Sequence, residues 1–199
     1  MRIARSLAAA SALIALAAPV MAHTETFTAV LNGASEAPSN SSTGLGTATV
    51  IINDHDYTME VIVSFSSLVG NVTASHIHCC TATAGVSTAG VSTMTPTFLG
   101  FPSGVKAGTY DHTFNMLLAS SWNAPFLTGV GGLPLDAFNK LLGGMGTGKA
   151  YLNIHTQSVP GGEIRGFLQL APVPEPGSYA LMLAGLGLIG WTAKRRQDA

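Results

Sequence analysis

The fold is decided by a hairpin-forming stretch, residues 46–65, with the sequence GTATVIINDHDYTMEVIVSF. Two runs rich in β-branched residues, 46–53 and 57–65, flank the tripeptide Asp54-His55-Asp56. β-branched residues favour strands, and a short polar segment between two such runs is typical of a tight hairpin turn. The stretch therefore predicts two adjacent antiparallel strands.

Similar strand patterns, separated by Gly, Asn and Ser, extend over the middle of the chain. Seven strands are predicted in all, at 24–31, 46–53, 57–65, 72–79, 108–118, 149–155 and 163–170. Many short strands with little helix indicate an all-β fold, and we predict an antiparallel Greek-key β-sandwich or barrel, immunoglobulin-like or superoxide-dismutase-like.

Two segments between the strands have patterns of their own. One short helix is predicted at 135–142, because Leu135, Phe138, Leu141 and Leu142 share one side and Gly143 follows as a stop signal. The stretch 81–104 is rich in Gly, Ser and Thr without periodicity, so we expect a surface loop there.

The N-terminal segment, residues 1–22, has the organisation of a secretory signal peptide. Arg2 and Arg5 precede an apolar run, and small residues lead to a cleavage site between Ala22 and His23. We therefore predict an N-terminal signal helix that is removed on export, and a mature β domain over residues 23–171.

The C-terminal segment, residues 172–199, combines Pro174-Glu175-Pro176, an apolar run and the basic cluster Lys194-Arg195-Arg196. The run, about 178–193, predicts a transmembrane helix at the short limit for a bilayer. The segment resembles the PEP-CTERM sorting signal of Gram-negative bacteria. The resemblance implies handling by export machinery and an exosortase-type protease, anchoring in the inner membrane through the C-terminal helix during sorting, and display at the cell surface or release.

Composition excludes two classes of protein. Of the 199 residues, 47% are hydrophobic and only 10% are charged, a balance unlike that of intrinsically disordered chains. Residues 23–172 carry four basic and eight acidic side chains, a net charge of −4. Because nucleic-acid binders present a basic face, we expect no nucleic-acid partner.

The mature segment resembles the CHRD domain family. The resemblance rests on 27-FTAVLNG-33 with 36-EAP-38, 74-ASHIH-78, 151-YLNIHT-156 and 160-PGGEIRG-166. It covers nearly all of residues 24–170, and bacterial members often carry a PEP-CTERM tail. The family has no established general activity, so the resemblance implies an exported extracellular domain without naming a reaction.

Three histidines are candidate metal ligands. His76 and His78 are two residues apart on a predicted strand, so their side chains share a face, and His155 lies on another predicted strand. Two imidazoles from one strand and one from a neighbour suit copper or zinc. The pair is loosely similar to the His-x-His copper ligands of copper/zinc superoxide dismutase, although a matching set of zinc ligands is absent. The alternative is that all three are structural.

The only two cysteines, Cys79 and Cys80, are adjacent in a chain destined for an oxidising compartment. A vicinal disulfide is the favoured prediction. A thiolate pair that holds a soft metal, or free or intermolecular thiols, are the alternatives.

Glu163 and Arg165 are two apart on a predicted strand. We expect them to pair with each other's neighbours across the sheet, as an ion pair that secures the last strand, with the orientation of His155 by Glu163 as the alternative.

The sequence therefore favours an exported, surface-displayed or matrix-associated domain without enzymatic activity, since no catalytic residues or cofactor motif are evident. The alternative is a copper- or zinc-binding domain, redox-active or not, that uses His76, His78 and His155. An extracellular matrix component or another protein is the partner that a displayed module would bind.

Overall fold

The architecture is taken from a computed structural model that describes residues 24–172 and 178–197. The strands are β1 Thr24–Asn32, β2 Leu45–Asn53, β3 Thr58–Ser66, β4 Val72–His78, β5 Gly108–Asn115, β6 Tyr151–Thr156, β7 Ile164–Phe167 and β8 Gln169–Leu170. The helices are α1 Ala124–Gly129, α2 Pro134–Gly146 and α3 Ser178–Gln197, with short 3-10 turns at Gly33–Ser35 and Ala119–Ser121.

The predicted hairpin is confirmed as β2 and β3, which pair in register from Leu45–Ser66 to Asn53–Thr58. At the turn, the side-chain oxygen of Asn53 accepts hydrogen bonds from the backbone N–H groups of His55 and Asp56. An Asn side chain that caps the following backbone in this way stabilises a tight turn.

All strands belong to one antiparallel sheet in the order β4-β6-β7-β1-β2-β3-β5, with β8 also paired to β1. The sheet curls into a half-barrel, which confirms the all-β class. The expected two-sheet, immunoglobulin-like sandwich is wrong for the described residues, because β7 pairs with β1 at Asn32–Arg165 and joins the two groups of strands into one sheet. Gly166 allows this approach, since a side chain there would strike the carbonyl of Val30.

The core lies on the concave face of the curled sheet. Alternate residues of the strands are buried, as in β1, where Phe27, Ala29 and Leu31 point inward between exposed or half-buried neighbours. This period of two is what a strand with one solvated face requires. Helix α2 adds Phe138 and Leu141 to the same core.

Several predicted segments differ from the structure. The stretch 81–104 is not a surface loop throughout: Ser92 and Phe98 are fully buried, because residues 91–98 pack along the free edge of β4. The predicted helix is longer at both ends, and Leu135 is exposed instead of facing the core. The last predicted strand divides into β7 and β8, since the Leu168 N–H bonds to the carbonyl of Ala150.

The chain termini test the targeting predictions only in part. Helix α3 covers the run for which a transmembrane helix was expected, about 178–193. Among the described residues, no helix is long and apolar enough to cross a membrane, so the expectation is not borne out there. The signal helix, its cleavage site at Ala22 and His23, and the Pro174-Glu175-Pro176 motif lie outside the described residues.

Candidate metal centre

The pairing of β4 with β6 brings the three histidines together. His76 lies directly opposite Asn153, and Ala74 lies opposite His155, so His155 is diagonal to His76 on the same face. The ring centroids of His76 and His155 are 5.3 Å apart, and those of His76 and His78 are 5.9 Å apart. The third pair, His78 and His155, is separated by 6.0 Å. All three side chains proposed from the sequence thus form one cluster.

Each imidazole uses one ring nitrogen in a hydrogen bond to a backbone carbonyl. His76 Nε2 bonds to Pro96 O at 2.6 Å, His78 Nδ1 to Ala89 O at 2.9 Å, and His155 Nδ1 to Pro160 O at 2.8 Å. A carbonyl oxygen can only accept, so each of these nitrogens must carry a hydrogen.

In a neutral imidazole the second ring nitrogen then has a free lone pair. These nitrogens are Nδ1 of His76, Nε2 of His78 and Nε2 of His155. All three are buried and have no hydrogen-bond partner within the described part of the chain. A metal-bound histidine has this arrangement, since its other ring nitrogen donates to a carbonyl that sets the tautomer and the ring orientation.

Burial also keeps the cluster uncharged. Desolvation is the main cause that lowers the pKa of His78, to about 4, against the opposing hydrogen bond to Ala89, and the other two histidines add repulsion. Desolvation likewise lowers the pKa of His76 and of His155 below the ordinary value of 6.5. At neutral pH the three rings are therefore uncharged, each with one N–H and one free lone pair, which is the form that binds a metal.

The ligand atoms lie farther apart than in an occupied transition-metal site. One ring nitrogen from each histidine lies within 4.8 Å of the others. In a tetrahedral site, metal–nitrogen bonds of about 2.0–2.1 Å place two ligand atoms about 3.4 Å apart. The widest pair must therefore close by about 1.4 Å when an ion binds, which requires rotation of the rings together with movement of their strands.

A buried polar network adjoins the cluster. The Asn153 side chain donates from Nδ2 to Glu36 Oε1 at 3.0 Å, and Glu36 Oε2 lies 3.8 Å from Arg165 Nε. Burial raises the pKa of Glu36 to about 7, in spite of the opposing charge of Arg165. The Arg165 guanidinium also lies 4.7 Å from the ring centre of Tyr151, which stacks on His78 at 4.8 Å. Sequence reasoning missed Glu36 and Asn153, whose positions depend on contacts between distant segments.

The expected ion pair at the last strand is present for Arg165, which pairs with Glu36 from a distant segment, whereas the alternative role of Glu163 as a support of His155 is wrong. The His155 ring bonds to the Pro160 carbonyl instead. The Glu163 carboxylate accepts four hydrogen bonds, from Ser42 Oγ, Val69 N, Gly70 N and Thr156 Oγ1. Burial is the largest single influence on its pKa and raises it, but the four bonds together outweigh burial and lower the pKa. Glu163 therefore joins three segments of the chain near the cluster without contacting an imidazole.

The two cysteines form a unit separate from the histidines. The sulfur atoms of Cys79 and Cys80 are bonded to each other as a vicinal disulfide. The disulfide packs against helix α2 at Gly144, where any side chain would overlap both sulfurs. In this state the sulfurs are not metal ligands.

Comparison with known proteins gives two matches on the chain. The family model of the CHRD domain matches residues 27–168, and the model of the PEP-CTERM protein-sorting motif matches residues 172–196. No curated protein and no solved structure matches the chain significantly. The first match includes all three histidines and both cysteines.

Proposed function

Because the chain belongs to the CHRD domain family and carries a PEP-CTERM sorting motif, we propose that it is a non-enzymatic, surface-displayed or matrix-associated domain. From the geometry of the histidine cluster we further propose that it binds one transition-metal ion. The sorting motif marks the chain for export, for recognition by exosortase-type machinery with passage through the membrane, and for a cell-surface or extracellular location. The ligands of the ion are His76, His78 and His155.

A single observation carries the metal proposal. Three imidazole lone pairs are buried together, and each has its ring orientation set by a backbone carbonyl. A buried polar atom without a partner costs roughly 1–3 kcal/mol, so three in one cluster need an occupant that offsets the cost. None of the three free ring nitrogens carries a hydrogen, so they cannot form hydrogen bonds with one another. A cation satisfies all three at once.

The donor set favours particular ions. Neutral imidazole suits zinc and copper among the common metals, whereas calcium and magnesium prefer oxygen ligands. The ligands sit on two paired strands of the sheet, so the site is built before the ion arrives. A rigid scaffold of this kind lowers the entropic cost of binding.

The proposal of a non-enzymatic role is supported by the matched families and by the disposition of nearby carboxylates. Neither matched family is a family of enzymes. Glu36 and Glu163 are engaged in buried hydrogen bonds. Both carboxylates therefore have structural partners in the described residues.

The experiment is a metal analysis of the processed full chain, purified from the exported fraction without a chelator or a polyhistidine tag. We expect about one equivalent of zinc or copper, and its loss in His76→Ala. His55→Ala is the matched control, because His55 is exposed in the β2–β3 turn. A folded wild-type protein that contains no metal and takes up neither ion on dialysis would overturn the proposal.

A further inference from the structure

A fourth buried polar atom without a partner belongs to Asn153, the residue paired directly opposite His76. Among the described residues, four buried side-chain nitrogen or oxygen atoms lack a hydrogen-bond partner: His76 Nδ1, His78 Nε2, His155 Nε2 and Asn153 Oδ1. All four belong to the paired strands β4 and β6. Unpaired buried groups are rare in folded proteins, so their concentration on one patch points to a common occupant.

The register places Asn153 at the cluster. Asn153 is directly opposite His76, and it shares a face with His155, two residues along β6. The free nitrogen of His76 is Nδ1, the ring nitrogen nearer to the backbone. An asparagine oxygen is the same number of bonds from its own backbone, so the two atoms can reach a similar height above the sheet.

Glu36 and Gly162 set the orientation of the Asn153 side-chain amide. Its Nδ2 donates to Glu36 Oε1 at 3.0 Å, which directs Oδ1 away from Glu36. The Asn153 side chain is 2% exposed, and Gly162 covers it so closely that a side chain there would strike Nδ2. A carboxylate that holds a ligand by its N–H group is a common support of metal ligands.

From these contacts, and resting on the proposed metal-binding function, we propose that the Asn153 amide oxygen is the fourth ligand of the ion. The site is then a closed set of three nitrogens and one oxygen. Closed four-ligand sites are structural, whereas catalytic sites keep one position for water. An amide oxygen is also a hard ligand, which favours Zn²⁺, Co²⁺ or Cu²⁺ over Cu⁺.

The experiment uses Co²⁺ as a spectroscopic probe on the processed, chelator-stripped full chain. Visible absorption reports the coordination number of the ion, and added thiocyanate reports whether a position is open to an outside ligand. We expect wild-type protein to bind one Co²⁺ with a four-coordinate spectrum that thiocyanate does not change. Asn153→Ala should bind Co²⁺ at least tenfold more weakly and become thiocyanate-sensitive, while the exposed Asn139→Ala control should match wild type.

The outcomes separate failure of the Asn153 assignment from failure of the metal-binding function. A wild-type spectrum that thiocyanate shifts means that water holds the fourth position, and the Asn153 assignment is overturned without any variant. Equal Co²⁺ affinity and spectrum in wild type and Asn153→Ala would overturn it as well. If wild type binds none of Co²⁺, Zn²⁺ and Cu²⁺, the metal-binding function itself fails. The wild-type thiocyanate measurement can overturn the assignment even if Asn153→Ala does not fold.

Discussion

Glu36→Gln should make the domain progressively more stable than wild type as the pH rises. Glu36 is buried beside Asn153, and burial raises its pKa from 4.5 to about 7. Between these values the native state holds a proton that the unfolded chain has released, so wild-type stability falls as the pH rises. Glutamine keeps the shape of the side chain and has no charge to desolvate.

The expected size follows from the same two pKa values. A rise from 4.5 to about 7 corresponds to at most about 3 kcal/mol of unfolding free energy, lost in full above pH 7. The difference in unfolding free energy between Glu36→Gln and wild type should therefore grow by up to this amount from about pH 4.5 to about pH 8. Any effect of the substitution on Arg165 that does not vary with pH leaves this growth unchanged. The titration of the histidines contributes equally to both proteins and also cancels.

The assay is urea unfolding of chelator-treated protein at several pH values across that range. Glu60→Gln is the control, because Glu60 lies half-buried on β3 and its loss reports the general effect of removing one carboxylate. A difference between Glu36→Gln and wild type that stays constant with pH would refute the reasoning, since it would mean that Glu36 ionises alike in both states.

Three further substitutions test the packing and the hydrogen bonds near the site. Gly144→Ala should destabilise the protein by a few kcal/mol, because the new methyl group would overlap both sulfurs of the vicinal disulfide. Gly143→Ala, which has open space around it, should instead stabilise helix α2 by about 0.5–1 kcal/mol. Thermal melts of the two variants would show this contrast, and equal melting temperatures would contradict it. Glu163→Gln should lower the free energy of unfolding in urea at pH 7 by about 2–4 kcal/mol. Each carboxylate oxygen accepts one backbone N–H, so the new NH₂ group must face one of these donors. A decrease of less than about 0.5 kcal/mol would count against that arrangement.

The local elements of the fold could be predicted because they depend on neighbouring residues. The hairpin of β2 and β3 follows from two β-branched runs and the polar turn at 54–56, and alternation identifies which residues of each strand face the core. The shared face of His76 and His78 follows from the same period of two. The last strand was less predictable, since its interruption at Leu168 comes from a hydrogen bond to Ala150.

The sequence by itself determined the class of the fold, the CHRD and PEP-CTERM resemblances and the three histidines as candidates. Only the tertiary structure decided that β6 pairs with β4, which ring nitrogens are free, and that Asn153 and Glu36 adjoin them. The physical reason is the separation along the chain of the residues that interact. Periodicity shows which side chains of one strand face the core. The register of β4 with β6, and the loop carbonyls that set the tautomers, depend on segments far apart in the chain.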